Sequence, residues 1–288
     1  MQQRIHTISF VGLGLIGASL MQALKRAAAA TGRKIELIGF DPGFSDEDIA
    51  AITGECGLDR FEADLARLYD ADLVVLCAPV IANIALLDEV KRHLRPGALV
   101  SDVSSTKAEI AARAKALGIG FIGMHPIAGR EQQGYRAASA ELLAGRLVIL
   151  CPGNDAAEDA SAAELSELLR AAGCKPLFMT PEEHDRVYAN ISHLPQLVST
   201  ALMDHCRENV EWGGPGFASM TRLAGSPWPV WRDIVETNRD NIADELEAFS
   251  ALLAGVAREV RGGDFGSLES KFREANDLYQ RLQERSRS

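Results

Sequence analysis

Six residues constrain this chain more than any others: Gly12-Leu13-Gly14-Leu15-Ile16-Gly17. Ahead of them runs Ile5–Val11, β-branched and aromatic, and behind them Ala18–Ala30, rich in Ala and Leu. G-x-G-x-x-G between a strand and a helix admits few folds. Gly12 permits a tight turn, Gly14 lets the backbone approach a bound group, and Gly17 lets helix and strand pack closely. The rest of the first half repeats the alternation. Lys34–Phe40, Asp72–Ala78, Ala98–Val103, Gly120–Met124, Leu147–Cys151 and Lys175–Met179 read as strands, and Ser45–Cys56 as a helix capped by Ser45. These are continuous apolar runs, not alternating ones. They predict a Rossmann-type, doubly wound α/β unit whose parallel sheet is buried on both faces.

The pattern changes at Thr180. Thr180-Pro181-Glu182-Glu183 is a helix start, with Thr180 as cap, Pro181 at the first helical position and Glu183 placed for a capping box. Val187, Ile191, Leu194, Val198 and Ala201 then recur at helical spacing, as do Leu246, Phe249, Leu252, Val256 and Val260 further on, and Leu268, Phe272, Ala275 and Leu282 after them. The expected division is therefore a sheet domain over 1–179 and an all-α domain over 180–288. A length of 288 residues suits two domains.

Charge excludes some partners. Thirty Lys and Arg against forty Asp and Glu leave −10, a poor balance for nucleic acid or an anionic membrane. No apolar run of about 18 residues occurs, so no membrane span is expected. Phe10–Leu20 follows Arg4 but lacks a cleavage pattern, which argues against a signal peptide. Five scattered cysteines, without C-x-x-C or a Cys/His cluster, read as inert thiols of a reducing cytoplasm and give no metal site.

In this context the glycine run reads as a dinucleotide site. Gly12, Gly14, Leu15, Ile16 and Gly17 would seat a pyrophosphate on the unpaired N–H groups of the helix start. Asp41 closes the second strand, where an acid accepts ribose hydroxyls and repels a 2′-phosphate, favouring NAD over NADP. Asp41 could equally cap its own turn. Ala78, Pro79 and Ser104, at the ends of later strands, are the remaining cofactor candidates, against the alternative of plain loops.

Four further clusters carry chemistry: Asp102-Val103-Ser104-Ser105-Thr106-Lys107, Gly123-Met124-His125-Pro126-Ile127-Ala128-Gly129 with Arg130 and Glu131, Ser192-His193-Leu194-Pro195, and Thr221-Arg222-Leu223-Ala224 leading to Trp231-Arg232-Asp233-Ile234. With GLGLIGAS and HDRVYANISHLP, they give the chain a clear resemblance to the prephenate dehydrogenase family, which includes arogenate and cyclohexadienyl dehydrogenases. The resemblance implies NAD(P)-dependent oxidative decarboxylation of prephenate to 4-hydroxyphenylpyruvate in tyrosine biosynthesis, and a helical domain that forms a homodimer. It implies His125 as the group that accepts the substrate hydroxyl's proton, a task suited to neutral imidazole. Ser105 would bind the same hydroxyl or orient His125. Arg222 would hold a carboxylate, with His193, Gln196 and Trp231 beside the substrate. Trp231 also suits a dimer core. Pro195 should kink its helix and aim His193 into the cleft.

The chain departs from the family pattern at three places. Gln196 stands where the family usually has His, Ser219 where Asp is common, and Ala18 where Gly is common. A neutral Gln196 offers no carboxylate to the ammonium of arogenate and so favours prephenate. No mutase-like segment is expected ahead of the glycine run. The stretch after Ile234 reads as helix, so no regulatory β–α domain is expected. Two other readings would fit the architecture: a 3-hydroxy-acid or imine-type dehydrogenase, which needs a different set of site motifs, and an NAD-binding sensor without turnover.

Overall fold

The computed structural model describes residues 5–130, 132–153 and 156–287; Glu131 lies outside the described residues. The chain forms two compact units, Met1–Arg239 and Asp240–Ser288.

The first unit is built on one eight-stranded sheet in the order β3-β2-β1-β4-β5-β6-β7-β8. The strands are β1 Thr7–Val11, β2 Glu36–Phe40, β3 Arg60–Phe61, β4 Leu73–Leu76, β5 Leu99–Asp102, β6 Phe121–Pro126, β7 Leu147–Pro152 and β8 Lys175–Phe178. The helices among them are α1 Leu15–Thr31, α2 Asp46–Gly54, α3 Leu65–Leu68, α4 Val80–His93, α5 Ala108–Ala116 and α6 Ala156–Ala171. Strand residues point alternately to two apolar layers. Ile8, Phe10, Leu73 and Val75 face a layer that includes Leu20, Leu24 of α1 and Leu165, Leu168 of α6. Val74, Leu76 and Val100 face Leu87, Val90 of α4 and Ile110, Ala114 of α5. Both faces of the sheet are thus covered, which is why its strands read as unbroken apolar runs. Each such side chain, fully buried, contributes about 1.5–3 kcal/mol.

One expectation needs correcting. The sheet is not parallel throughout: β3 to β6 run parallel, β7 pairs antiparallel with β6, and β8 follows β7 in parallel. A parallel pair needs a crossover, usually a long helix. Between β6 and β7 the described chain has only single 3₁₀ turns at Tyr135–Ala137 and Ala140–Leu142, and it doubles back. Hydropathy does not encode strand direction, so the run Leu147–Cys151 looked the same either way.

The helical part of this unit comprises α7 Pro181–Tyr188, α8 Leu194–His205, α9 Pro215–Thr221 and α10 Trp228–Thr237. Thr180 caps α7 by accepting from the N–H of Glu183 at 3.1 Å, with Pro181 in the first turn. Between α7 and α8 the helix widens into a π-turn over Ala189–His193. Pro195, in the first turn of α8, has no N–H to return to Ile191, and its ring crowds that carbonyl. The π-turn is an accommodation that recurs at functional sites, and His193 at its end is buried and lies outside the residues that line the cleft.

The second unit carries α11 Arg239–Gly262 and α12 Phe265–Arg287. Lys271 pairs with Glu259 across their junction at 2.7 Å. Leu252, Leu253, Val260, Phe265, Phe272, Leu278, Tyr279 and Leu282 are exposed. No helix among the described residues is long and apolar enough to cross a membrane.

Candidate active site

The strand order reverses between β1 and β4, and ligands of open α/β sheets bind at such a switch point. There the glycine turn behaves as its spacing predicts. Gly12 has φ +98°, and a Cβ on it would stand 3.0 Å from the backbone of Cys77. A Cβ on Gly17 would come within 2.5 Å of the Gly12 carbonyl oxygen. A Cβ on Gly14 would meet nothing within 4 Å. Gly12 and Gly17 are therefore required by packing, whereas Gly14 guards open space at the start of α1. No side chain caps that helix and no acid lies in its first turn, so its N–H groups face the opening. This arrangement suits a dinucleotide phosphate.

A cleft of about 830 Å³ opens there. Gly14, Leu15, Ile16, Ala78, Pro79, Ser104 and Ser105 line one side, and Arg222, Trp231 and neighbouring residues of 223–234 line the other. Asn83 secures the floor: its Nδ2 donates to Ser104 Oγ at 3.0 Å and to the Ala78 carbonyl at 2.8 Å. Asp41 lies at the end of β2 outside this lining. Its Oδ2 accepts the Leu13 N–H and its Oδ1 the Gly43 N–H, both at 2.9 Å. It thus fastens the glycine turn to its own turn. Gln196 is buried behind the cleft. It donates to the Leu223 carbonyl at 2.7 Å and accepts from Ser226 Oγ at 3.2 Å, tying α8 to the segment that bears Arg222.

His125, half-buried near the end of β6, is not part of the cleft lining. Its Nδ1 lies 2.8 Å from Nε2 of His184, whose Nδ1 lies 2.8 Å from Oδ1 of Asp185. Tyr188 stacks on the His184 ring, with centroids 4.5 Å apart. Asp185 is buried and also accepts the backbone N–H groups of Lys107 and Ala108, at 2.7 and 2.8 Å. It thereby caps α5 from α7, so two segments far apart in sequence meet at one carboxylate. His193 is buried at the end of the π-turn. Its Nδ1 lies 3.2 Å from Asn238 Nδ2, and its ring meets Trp231 edge-on at 6.0 Å. The side chain of Lys107 is fully buried against Asp102.

Burial, the neighbouring His184, the Lys107 charge and His193 hold His125 well below the usual imidazole value. Burial likewise pulls His184 down, and takes His193 to about 4. All three rings are neutral at pH 7. Sequence reasoning named His125, His193 and Arg222, but gave His184, Asp185 and Asn238 no role. HDRVYANISHLP held the first two as part of a match, and no local periodicity marks a side chain whose partner is 59 residues away.

The prephenate dehydrogenase nucleotide-binding domain model matches residues 24–176, and the prephenate dehydrogenase dimerization domain model matches residues 180–274. The chain is 32% identical to the prephenate dehydrogenase of Bacillus subtilis (strain 168), over 96% of its own length and 76% of that protein's. Its fold is similar to that of Synechocystis arogenate dehydrogenase, at 29% identity and a TM-score of 0.84, covering 96% of this chain and 99% of that one. It is also similar to prephenate dehydrogenase from A. aeolicus in complex with hydroxyphenyl propionate and NAD+, at 26% identity and a TM-score of 0.87, covering 98% and 100% of the two chains.

Proposed function

The chain belongs to the prephenate dehydrogenase family, and from that premise we propose that it converts prephenate to 4-hydroxyphenylpyruvate with NAD. The observation that carries the reading is the cleft at the strand switch, lined by an open glycine turn, Ser105 and Arg222, with His125 on β6, the strand paired with the β5 strand that leads to Ser105.

In this reading the N–H groups around Gly14, Leu15 and Ile16 hold the pyrophosphate, and Ala78, Pro79 and Ser104 line the rest of the cofactor. Asp41 places a carboxylate against the same turn, which favours NAD over NADP. NAD, when bound, supplies the acceptor for the hydride leaving the ring carbon that bears the hydroxyl. His125 accepts the hydroxyl's proton at Nε2, and Ser105 orients that hydroxyl. Arg222 pairs with a substrate carboxylate, for which its planar fork is suited. Aromatisation drives loss of the ring carboxylate, so the protein need supply no metal or Schiff base. Gln196 braces the segment that bears Arg222 through Leu223 and Ser226, and its neutral side chain, where the family usually has His, supports prephenate over arogenate. The exposed apolar rows of α11 and α12, together with the dimerization domain match, support a homodimer. Five free cysteines suit a cytoplasmic setting.

The test is direct. Purified protein is mixed with prephenate or arogenate and with NAD or NADP, and reduced-nicotinamide absorbance is followed. Turnover highest with prephenate and NAD is expected. Turnover with neither substrate overturns the reading, and a preference for arogenate reassigns the substrate. Light scattering on dilution tests the dimer.

A further inference from the structure

Two histidines, His125 and His193, hydrogen-bond into one buried polar set, and presenting a lone pair or an N–H at Nε2 needs opposite tautomers. We propose that the buried set Asp185–His184 and Asn238 assigns them. It fixes His125 with its proton on Nδ1 and a lone pair on Nε2, and His193 with its proton on Nε2. This deepens the reading above and rests on it for the role of His125.

The assignment follows from donor counting. Both oxygens of Asp185 already receive backbone N–H groups, from Lys107 and Ala108. The carboxylate is therefore the acceptor in its 2.8 Å contact with His184, and His184 Nδ1 carries the hydrogen. His184 is fully buried, with the Lys107 ammonium nearby, and stays neutral. Its Nε2 is then the acceptor in the 2.8 Å contact with His125, so His125 Nδ1 donates. That leaves the lone pair on His125 Nε2, an atom without a hydrogen-bond partner among the described residues.

The second branch starts from an amide. Asn238 Nδ2 donates to the Asp185 carbonyl at 2.8 Å and lies 3.2 Å from His193 Nδ1. An amide nitrogen only donates, so His193 Nδ1 accepts and its hydrogen sits on Nε2. Thus Asp185, through its side chain and its carbonyl, anchors both branches. His125 can take a proton at Nε2, whereas His193 carries its hydrogen there. In the chemical step the proton moves from the substrate hydroxyl to His125 Nε2, and it leaves to solvent after the product departs. No proton crosses to His184, and the Asp185 charge at the far end stabilises the imidazolium. His184, Asp185 and Asn238 are positioning residues.

Nitrogen-15 NMR of histidine-labelled protein without substrate tests this independently of activity. The expected spectrum shows His125 protonated at Nδ1 and His193 at Nε2, at a pH where both rings are neutral. Nε2–H on His125 or Nδ1–H on His193 overturns the proposal. H184F keeps a ring against Tyr188 and removes the acceptor. We expect His125 to lose its tautomer preference and kcat to fall on the order of 10²-fold or more, with KM changed only a few-fold. A folded H184F with unchanged kcat and His125 tautomer also overturns it. If H184F does not fold, the wild-type spectrum decides. A failed turnover assay with the expected spectrum sinks the functional reading and leaves the tautomer assignment standing.

Discussion

Gly17→Ala and Gly14→Ala separate packing from binding within one six-residue motif. The Cβ added at Gly17 would stand 2.5 Å from the Gly12 carbonyl oxygen, 3.0 Å from Cys77 Cβ and 3.1 Å from Cys77 Sγ. Contacts between heavy atoms become favourable only near 3.5 Å, so something must move. The Gly12 turn cannot move cheaply: its N–H is bonded to the Phe40 carbonyl at 2.8 Å, and the space beside its Cα is so narrow that a Cβ there would lie 3.0 Å from the Cys77 backbone. Overpacking of this kind costs about 1–3 kcal/mol. Ala returns about 0.5–1 kcal/mol through its helix preference. A net loss of about 0.5–2 kcal/mol should lower Tm by about 1–8 °C in a unit of this size. Gly14→Ala meets no atom within 4 Å, so its cost stays below about 1 kcal/mol. Its methyl group would instead occupy the space above the helix start and weaken NAD binding tenfold or more. Thermal unfolding without ligand, then calorimetric titration with NAD, reads both effects. A Gly17→Ala Tm within 1 °C of wild type, or undiminished NAD affinity in Gly14→Ala, refutes the reasoning.

Four further outcomes are expected. Arg222→Ala should raise KM for the substrate by one to two orders of magnitude, the value of a charge-assisted pair of about 1.5–3 kcal/mol; steady-state kinetics showing KM unchanged would remove Arg222 from the carboxylate site. A pH profile of kcat/KM should place its acid limb below 6.5, since the base must be unprotonated and burial, with His184, Lys107 and His193 around it, lowers His125. Stability should fall over a related window. His193 titrates near 4 when folded and 6.5 when unfolded, so the unfolded chain binds the extra proton between those values and about 3 kcal/mol is lost as pH drops from 6.5 to 4. Urea titrations across that range, with His193→Gln flattening the slope, check it. Gly123→Ala should destabilise by about 1–3 kcal/mol, because its Cβ would lie 2.7 Å from Cδ of the fully buried Lys107, whose amine is held by Asp102; a variant as stable as wild type in thermal unfolding would show that the lysine can yield.

The sequence by itself determined the elements that short-range chemistry controls. The glycine turn, the apolar strands around it, the Ser45 and Thr180 caps and the helical half all follow from periodicity and backbone preference within a few residues. The family clusters mark Ser105, His125 and Arg222. Tertiary structure alone decided the rest. It turned β7 against β6, because direction depends on the connection and not on the run of apolar residues. It committed Gln196 to Leu223 and Ser226, and gave Asp41 the Leu13 N–H to hold. Above all it set His184 behind His125 and Asp185 across the start of α5. A hydrogen bond between residues 59 apart leaves no trace in local pattern, yet here such bonds determine where the protons of two histidines reside.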